Sequence, residues 1–276
     1  MGITMNDHHY NFNKDGFVSP VRIFDAVETD LVRQQLEYYE RKLGKDIFSN
    51  FQLKGHLIFP FLWEIVHELK IIEIVETLIG PNIVCWGSSF FVKDVGTSDF
   101  VPWHQDGTCW GLNGTNGLTV WLALTPSKED NGCLRVRPCT HTRKYEHIIN
   151  ENPNSMLPLK EEVNHSHSKI NTVDCILNPG EISIHHMYAI HGSKRNESSA
   201  RRIGFAIRYI DGSMKNTNGL NSHATLIKGH DFGNFIHEKK PKYDLDAQAL
   251  RRHSSIISSS EKIVRAESDR LMKRIH

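Results

Sequence analysis

The stretch Trp103-His104-Gln105-Asp106-Gly107 sets an imidazole and a carboxylate two residues apart. If this stretch is a strand, alternate residues share a face, so His104 and Asp106 project the same way and make half a metal site. The best third ligand is His191, in Tyr188-Ala189-Ile190-His191-Gly192-Ser193, which reads as a strand end running into a turn. Two histidines and one carboxylate form the facial triad of mononuclear non-haem iron(II) oxygenases, with other metal positions left open for reactants. An HxD pair by itself is a weak signal, because two such residues usually form a hydrogen-bonded or surface pair.

A second signal follows His191. From Ala200 to Tyr209 the chain alternates with period two: Ile203, Phe205, Ile207 and Tyr209 on one face, Arg202, Gly204, Ala206 and Arg208 on the other. The second face carries two cations separated by two very small side chains, which suits a strand that leaves room for a bound molecule. The polar turn Lys194 to Ser199 lies between His191 and Arg202, so a hairpin would bring those two side by side. An arginine fork beside a metal is suited to bidentate capture of a carboxylate. His185 and His186 precede His191 on the same predicted strand, and His185 shares its face as a partner for a ligand.

HxD, a distal His-Gly-Ser and an arginine eleven residues beyond that histidine together resemble the phytanoyl-CoA dioxygenase family of iron(II) and 2-oxoglutarate-dependent oxygenases. Four stretches carry the resemblance: Phe90 to Asp106, Thr119 to His141, His191 to Tyr209 and His223 to Asp246. They are most similar to the subgroup that includes carrier-protein-dependent non-haem halogenases and their hydroxylating relatives. The resemblance implies Fe(II) held by His104, Asp106 and His191, and 2-oxoglutarate whose distal carboxylate pairs with Arg202. Ser193 matches a hydroxyl donor to that carboxylate, and Trp121 matches a tryptophan near the cosubstrate; a turn serine and a core aromatic are the plain alternatives. Dioxygen and a small-molecule substrate, free or carrier- or CoA-linked, complete the implied reaction, which couples decarboxylation of 2-oxoglutarate to removal of hydrogen from an unactivated carbon. Halogenase-like relatives replace the carboxylate of HxD by a small residue; Asp106 is present here, so hydroxylation at carbon, or a related oxidation such as desaturation, is expected rather than chlorination.

Arg208 lies six residues along the strand from Arg202, about 20 Å away, and either meets an anionic substrate or forms a salt bridge. Arg201 competes with Arg202 as anchor, but the alternation favours Arg202. A different class of function stays open, since jelly-roll domains also serve as non-catalytic metal- or ligand-binding modules. A zinc hydrolase would need a nearby general base, and no second carboxylate stands at convincing spacing.

The positioning elements are read as one α+β domain in which N-terminal helices (1–81) buttress a double-sheet jelly roll, or double-stranded β-helix (82–210), with a C-terminal extension (211–276). Residues 1 to 24 read as an irregular lead-in. Helices are predicted from Ala26 to about Leu43 and from Phe61 to Ile79, the latter following Pro60 and stopped by Gly80-Pro81. The polar residues 142–172 are expected to cover the site as a lid. Asp244 is expected to cap a helix, and the tail from Ser258 is left between helix and subunit contact.

Composition is that of an ordinary globular chain: 276 residues, 33 basic against 32 acidic, and 39% hydrophobic. That balance carries no nucleic-acid footprint. Five scattered cysteines without a CxxC pair read as reduced thiols. With no signal-like start, no membrane-length apolar run and Asn6 where a myristoylation motif wants Ser or Thr, a cytoplasmic location is expected. Of the seventeen histidines, His8, His9, His165, His167, His223, His230, His237 and His253 lie in polar company and read as solvated.

Overall fold

The structure, a computed structural model, describes residues 5–44, 47–164, 171–217, 219–220 and 222–272. It opens with α1 (Met5–Asp15) and β1 (Phe17–Arg22), where the sequence suggested an irregular lead-in. α1 was illegible because it is polar, with Phe12 and His8 as its buried contributions. β1 adds an edge strand, pairing Phe17 with His185. α2 (Ala26–Leu43) lies where expected, opened by a reciprocal capping box between Asp25 and Glu28. A short α3 (Ile47–Asn50) follows. The expected helix from Phe61 to Ile79 is two, α4 (Pro60–Val66) and α5 (Leu69–Ile79). The His67 ring bonds the Trp63 carbonyl at 2.8 Å, and Glu68 turns extended, its side chain accepting from the Lys70 amide. The break lets each helix lay its own apolar stripe on the sheet.

The strands are β2 (Ile83–Lys93), β3 (Val101–His104), β4 (Gly117–Ala123), β5 (Leu134–Arg137), β6 (His147–Ile149), β7 (Glu161–Val163), β8 (Val173–Cys175), β9 (Glu181–His186), β10 (Ile190–Ser193), β11 (Arg202–Asp211), β12 (His223–Lys228) and β13 (Ile236–His237). The larger sheet runs β1-β9-β4-β11-β2-β12-β13 and the smaller β3-β10-β5-β8, with β6-β7 a separate ribbon. Together they form the jelly roll of an α+β domain. α6 (Ala247–Met272) closes the chain.

Period-two alternation sorts the larger sheet. Ile203, Phe205, Ile207 and Tyr209 of β11, with Leu118, Val120 and Leu122 of β4 and Ile182 and Ile184 of β9, pack against α2, α4 and α5 in the main core. The opposite face therefore holds the remaining residues in lateral rows. One row is Gly87, Arg208, Thr119 and His185; the next is Ser89, Ala206, Trp121 and Ser183; at the end Lys93 stands beside Arg202. This inner face looks across at the smaller sheet, where His191 of β10 pairs directly with His104 of β3.

α6 begins after Asp246, whose carboxylate accepts from the Gln248 amide, so Asp246 and not Asp244 is the cap. Asp244 instead accepts from the Tyr39 hydroxyl at 2.5 Å. Inward residues of α6 recur at Ile256, Ser260, Ile263 and Glu267, a stripe of three- and four-residue steps that lies on the domain itself. Among the described residues no helix is long and apolar enough to cross a membrane.

Candidate metal centre and its two chambers

His104 ends β3, but Asp106 is not on the strand: it starts a 3-10 turn, Asp106–Thr108. Convergence comes from that turn, which is fastened on both sides. The Gly107 amide donates to the Met187 carbonyl at 2.8 Å. The fully buried Gln105 donates to the carbonyls of Tyr188 and Arg143 and accepts from the Tyr145 amide. His185 and His191 likewise sit on different strands, β9 and β10, of different sheets; Met187, Tyr188 and Ala189 carry the chain across. The hairpin expected between His191 and Arg202 is absent too, because Arg202 opens β11 in the larger sheet.

The sheets nevertheless bring His104, Asp106 and His191 together. All three are buried, and one ligand atom from each lies within 4.8 Å of the others. Asp106 Oδ1 is 3.3 Å from His104 Nε2 and 3.9 Å from His191 Nε2. The second nitrogen of each histidine faces a carbonyl: His104 Nδ1 at 3.0 Å from Pro102 O, His191 Nδ1 at 3.0 Å from Ala189 O. A carbonyl only accepts, so Nδ1 carries the proton in each ring and the Nε2 lone pair faces the centre. Thr119 donates to Asp106 Oδ2 at 2.6 Å, leaving Oδ1 toward the histidines.

The electrostatics suit a cation. Burial and the neighbouring imidazoles of His185 and His104 hold His191 well below its usual range, so it stays neutral. Burial would raise Asp106, but the imidazoles of His104, His185 and His191 outweigh it and keep the carboxyl well below its usual range. His104 is driven down by burial and up by Asp106, with the upward influence larger. His185 comes within 3.8 Å of Asp106 Oδ2, and neither of its ring nitrogens has a hydrogen-bond partner.

Beside this centre lies a tight pocket lined by Trp121, Ser193, Arg202 and Ala206. Arg202 is 2% exposed. Its Nη1 donates to Gly132 O at 2.7 Å, its guanidinium stacks over the Trp121 ring, and its Nε has no partner. Among the described residues no carboxylate lies within salt-bridge distance, and burial pulls the guanidinium down to about 10. Lys93, also buried, donates to Ser193 Oγ at 2.7 Å and is pushed to about 6 by burial and by Arg202. Arg202 is thus a buried cation without a counter-charge, a costly arrangement, with Lys93 beside it. Gly204 leaves room not for a ligand but for Trp121: a Cβ there would lie 1.9 Å from the indole. Arg201 points away, pairing with Glu40 and Asp94.

A wider chamber of about 190 Å³ opens on the other side of Asp106. Arg208 borders both chambers; it makes no ion pair among the described residues, and its Nη1 donates to Ser89 Oγ at 2.8 Å. Trp86 enters the wide chamber because a bulge in β2 sets Gly87 against Arg208 and Cys85 against Tyr209, skipping it. Leu157, Pro158 and Leu159, from the stretch read as a lid, form one wall, and Ile257, Ile263 and Val264 of α6 form another. Sequence reasoning missed Thr119, Lys93, Gln105 and the α6 wall; a period-two count carried from Arg208 across β4 would have found Thr119. Of the histidines read as solvated, His8 and His253 are buried, while His165 and His167 lie outside the described residues.

The family model for phytanoyl-CoA dioxygenase (PhyH) matches residues 12–204, well over half of the chain. A probable alpha-ketoglutarate-dependent hypophosphite dioxygenase from Stutzerimonas stutzeri is 28% identical over 165 residues, covering 56% of this chain and 54% of that protein. The chain thus spans about half the length of the curated relatives it matches. Among solved structures, the non-heme monooxygenase ThoJ in its apo form superposes with a TM-score of 0.84 at 28% identity, over 96% of this chain and 100% of that one. CytC3 with Fe(II) and alpha-ketoglutarate gives 0.63 at 25% identity, over 87% and 94%. This chain belongs to the phytanoyl-CoA dioxygenase (PhyH) family.

Proposed function

We propose that this chain is an iron(II)- and 2-oxoglutarate-dependent oxygenase that hydroxylates, or otherwise oxidises, an unactivated C–H bond of a small molecule. The observation that carries the reading is the pairing of a buried His/Asp/His group with a buried arginine that has no counter-ion. A purely structural or metal-storing domain has no use for the second. A dianion fills both needs, one end at the metal and the other at Arg202. His104, Asp106 and His191 would hold the iron; Arg202 and Ser193 would take the distal carboxylate of 2-oxoglutarate, with Trp121 beneath. When bound, iron and 2-oxoglutarate would supply the chemistry that activates dioxygen, the oxidant, one atom of which leaves in succinate alongside carbon dioxide.

The chain's own residues supply geometry. Thr119 fixes the Asp106 carboxylate, the Pro102 and Ala189 carbonyls fix the two imidazoles, and Lys93 orients the Ser193 hydroxyl. The apolar walls from 157–159 and α6 act as the cover that keeps water from the wide chamber, where the substrate sits. With Asp106 as a third protein ligand, a metal that also held cosubstrate and oxygen would have no position left for a halide, so the reading is hydroxylation or a related oxidation rather than halogenation. The five free cysteines fit the reducing, cytoplasmic setting expected from the sequence. The test is succinate release in the presence of Fe(II), 2-oxoglutarate and oxygen across a panel of small molecules. Succinate above background, lost in His191→Ala, supports the reading; background release in both defeats it.

A further inference from the structure

The wide chamber holds one acid that the chemistry above does not use. Glu161 opens β7 and is 4% exposed. One side of its carboxyl meets the Cys109 thiol, while Oε2 has no hydrogen-bond partner. A buried polar atom left unpaired is expensive, and a carboxylate more so. Glu161 is not one of the group formed by His104, Asp106 and His191, yet it is near enough for its charge to act on His104. It lines the chamber among Trp86, Trp110, Leu157 and Ile263, and shares it with Arg208. Apolar walls, one acid beside the metal group and one cation without a carboxylate partner make an asymmetric receptacle.

We propose that this chamber selects a substrate with an apolar body and a protonated nitrogen, the N–H groups donating to Glu161 Oε2. The inference rests on the oxygenase reading for what is done to that substrate, not for how it is held. A cation seated on Glu161 satisfies the orphan oxygen and is itself paired, which is the condition for burying charge in an apolar cavity. Arg208 would meet an acceptor on the same molecule, so the substrate enters in one orientation. Burial also pushes the Glu161 carboxyl up, in keeping with a group whose counter-charge arrives with the ligand.

The experiment uses the full chain loaded with Ni(II) in place of iron, and 2-oxoglutarate, so that nothing turns over. Calorimetry at neutral pH compares 2-phenylethylammonium, 2-phenylethanol and 3-phenylpropionate, which share a ring and differ in the head group. The ammonium should bind about ten-fold tighter than the alcohol. Glu161→Gln should erase that preference with Ni(II) and 2-oxoglutarate still bound, and Glu161→Asp should retain part of it. No ammonium binding at millimolar concentration, equal binding of ammonium and alcohol, a preference that survives in Glu161→Gln, or tightest binding of the propionate overturns the proposal. The Ni(II) and 2-oxoglutarate titrations that precede the probes report separately on the oxygenase reading. Their failure with the ammonium preference intact would remove that reading and leave this one standing.

Discussion

Replacing Arg202 by methionine should stabilise the ligand-free protein while abolishing its response to 2-oxoglutarate. Burial pulls the guanidinium from 12.5 to about 10, and at about 1.36 kcal/mol per pH unit the empty fold carries about 3 kcal/mol of unrelieved charge burial. Arginine is protonated in both folded and unfolded chains below pH 10, so this penalty is constant there and fades only as pH rises from about 10 toward 12.5. Against its removal stand the bond to Gly132 O and the stacking on Trp121, each about 1 kcal/mol. The variant should therefore be about 1 kcal/mol more stable, about 2–4 °C in Tm for a chain of this size. In the wild type with Ni(II), 2-oxoglutarate at about 100 times its Kd should add about 2.7 kcal/mol, and in Arg202→Met close to nothing. Urea melts with and without ligand measure both quantities. A variant that is less stable without ligand yet keeps the full 2-oxoglutarate response would refute the reasoning, because Arg202 would then be a structural cation.

Thr119→Val removes the hydroxyl that holds Asp106 Oδ2; metal affinity should fall about 10- to 100-fold with the fold intact, read by competition with a chromophoric chelator, and unchanged affinity would discount the contact. Behind the wide chamber, burial would raise the Glu238 carboxyl, but Lys54 and His56 outweigh it and hold it near about 2, with Lys54 Nζ at 2.5 Å. A depressed acid stabilises fully above its ordinary 4.5, and the contribution, about 3 kcal/mol, is lost as pH falls from there through about 2. Lys54→Met should cost about 3 to 5 kcal/mol at neutral pH by leaving that carboxylate without its ammonium counter-charge; denaturant melts showing a loss below 1 kcal/mol would contradict it. Once a substrate is found, its product should be hydroxylated or otherwise oxidised, such as desaturated, and carry no chlorine even in abundant chloride; a chlorine isotope pattern in the mass spectrum would overturn the coordination argument built on Asp106.

The ligand residues were legible because an HxD pair, a distal His-Gly-Ser and an arginine eleven residues beyond it stand together in the order that carries the family resemblance, and Arg202 also because alternation along β11 put it opposite a core face of Ile203, Phe205, Ile207 and Tyr209. What spacing alone could not give was which strands share a sheet. His185, His191 and Arg202 read as one continuous ribbon, whereas Met187-Tyr188-Ala189 and the turn 194–201 pass the chain between two sheets. Local pattern also misassigned Gly204, whose missing side chain serves Trp121 one strand over. α1 and α6 were obscure for a common reason: polar residues, and serines in α6, dilute their stripes, and tertiary packing rather than propensity makes them helical.

The most direct test of the account is an anaerobic titration of the purified chain with Fe(II) and 2-oxoglutarate, followed by the visible metal-to-cosubstrate charge-transfer band. The account predicts a band that saturates at one iron and one 2-oxoglutarate per chain. It should be absent in His104→Ala, Asp106→Ala and His191→Ala, and should need far more 2-oxoglutarate in Arg202→Met but not in Arg201→Met. A wild-type protein that binds iron and develops no such band, or an Arg201 variant that fails where Arg202→Met succeeds, would contradict it.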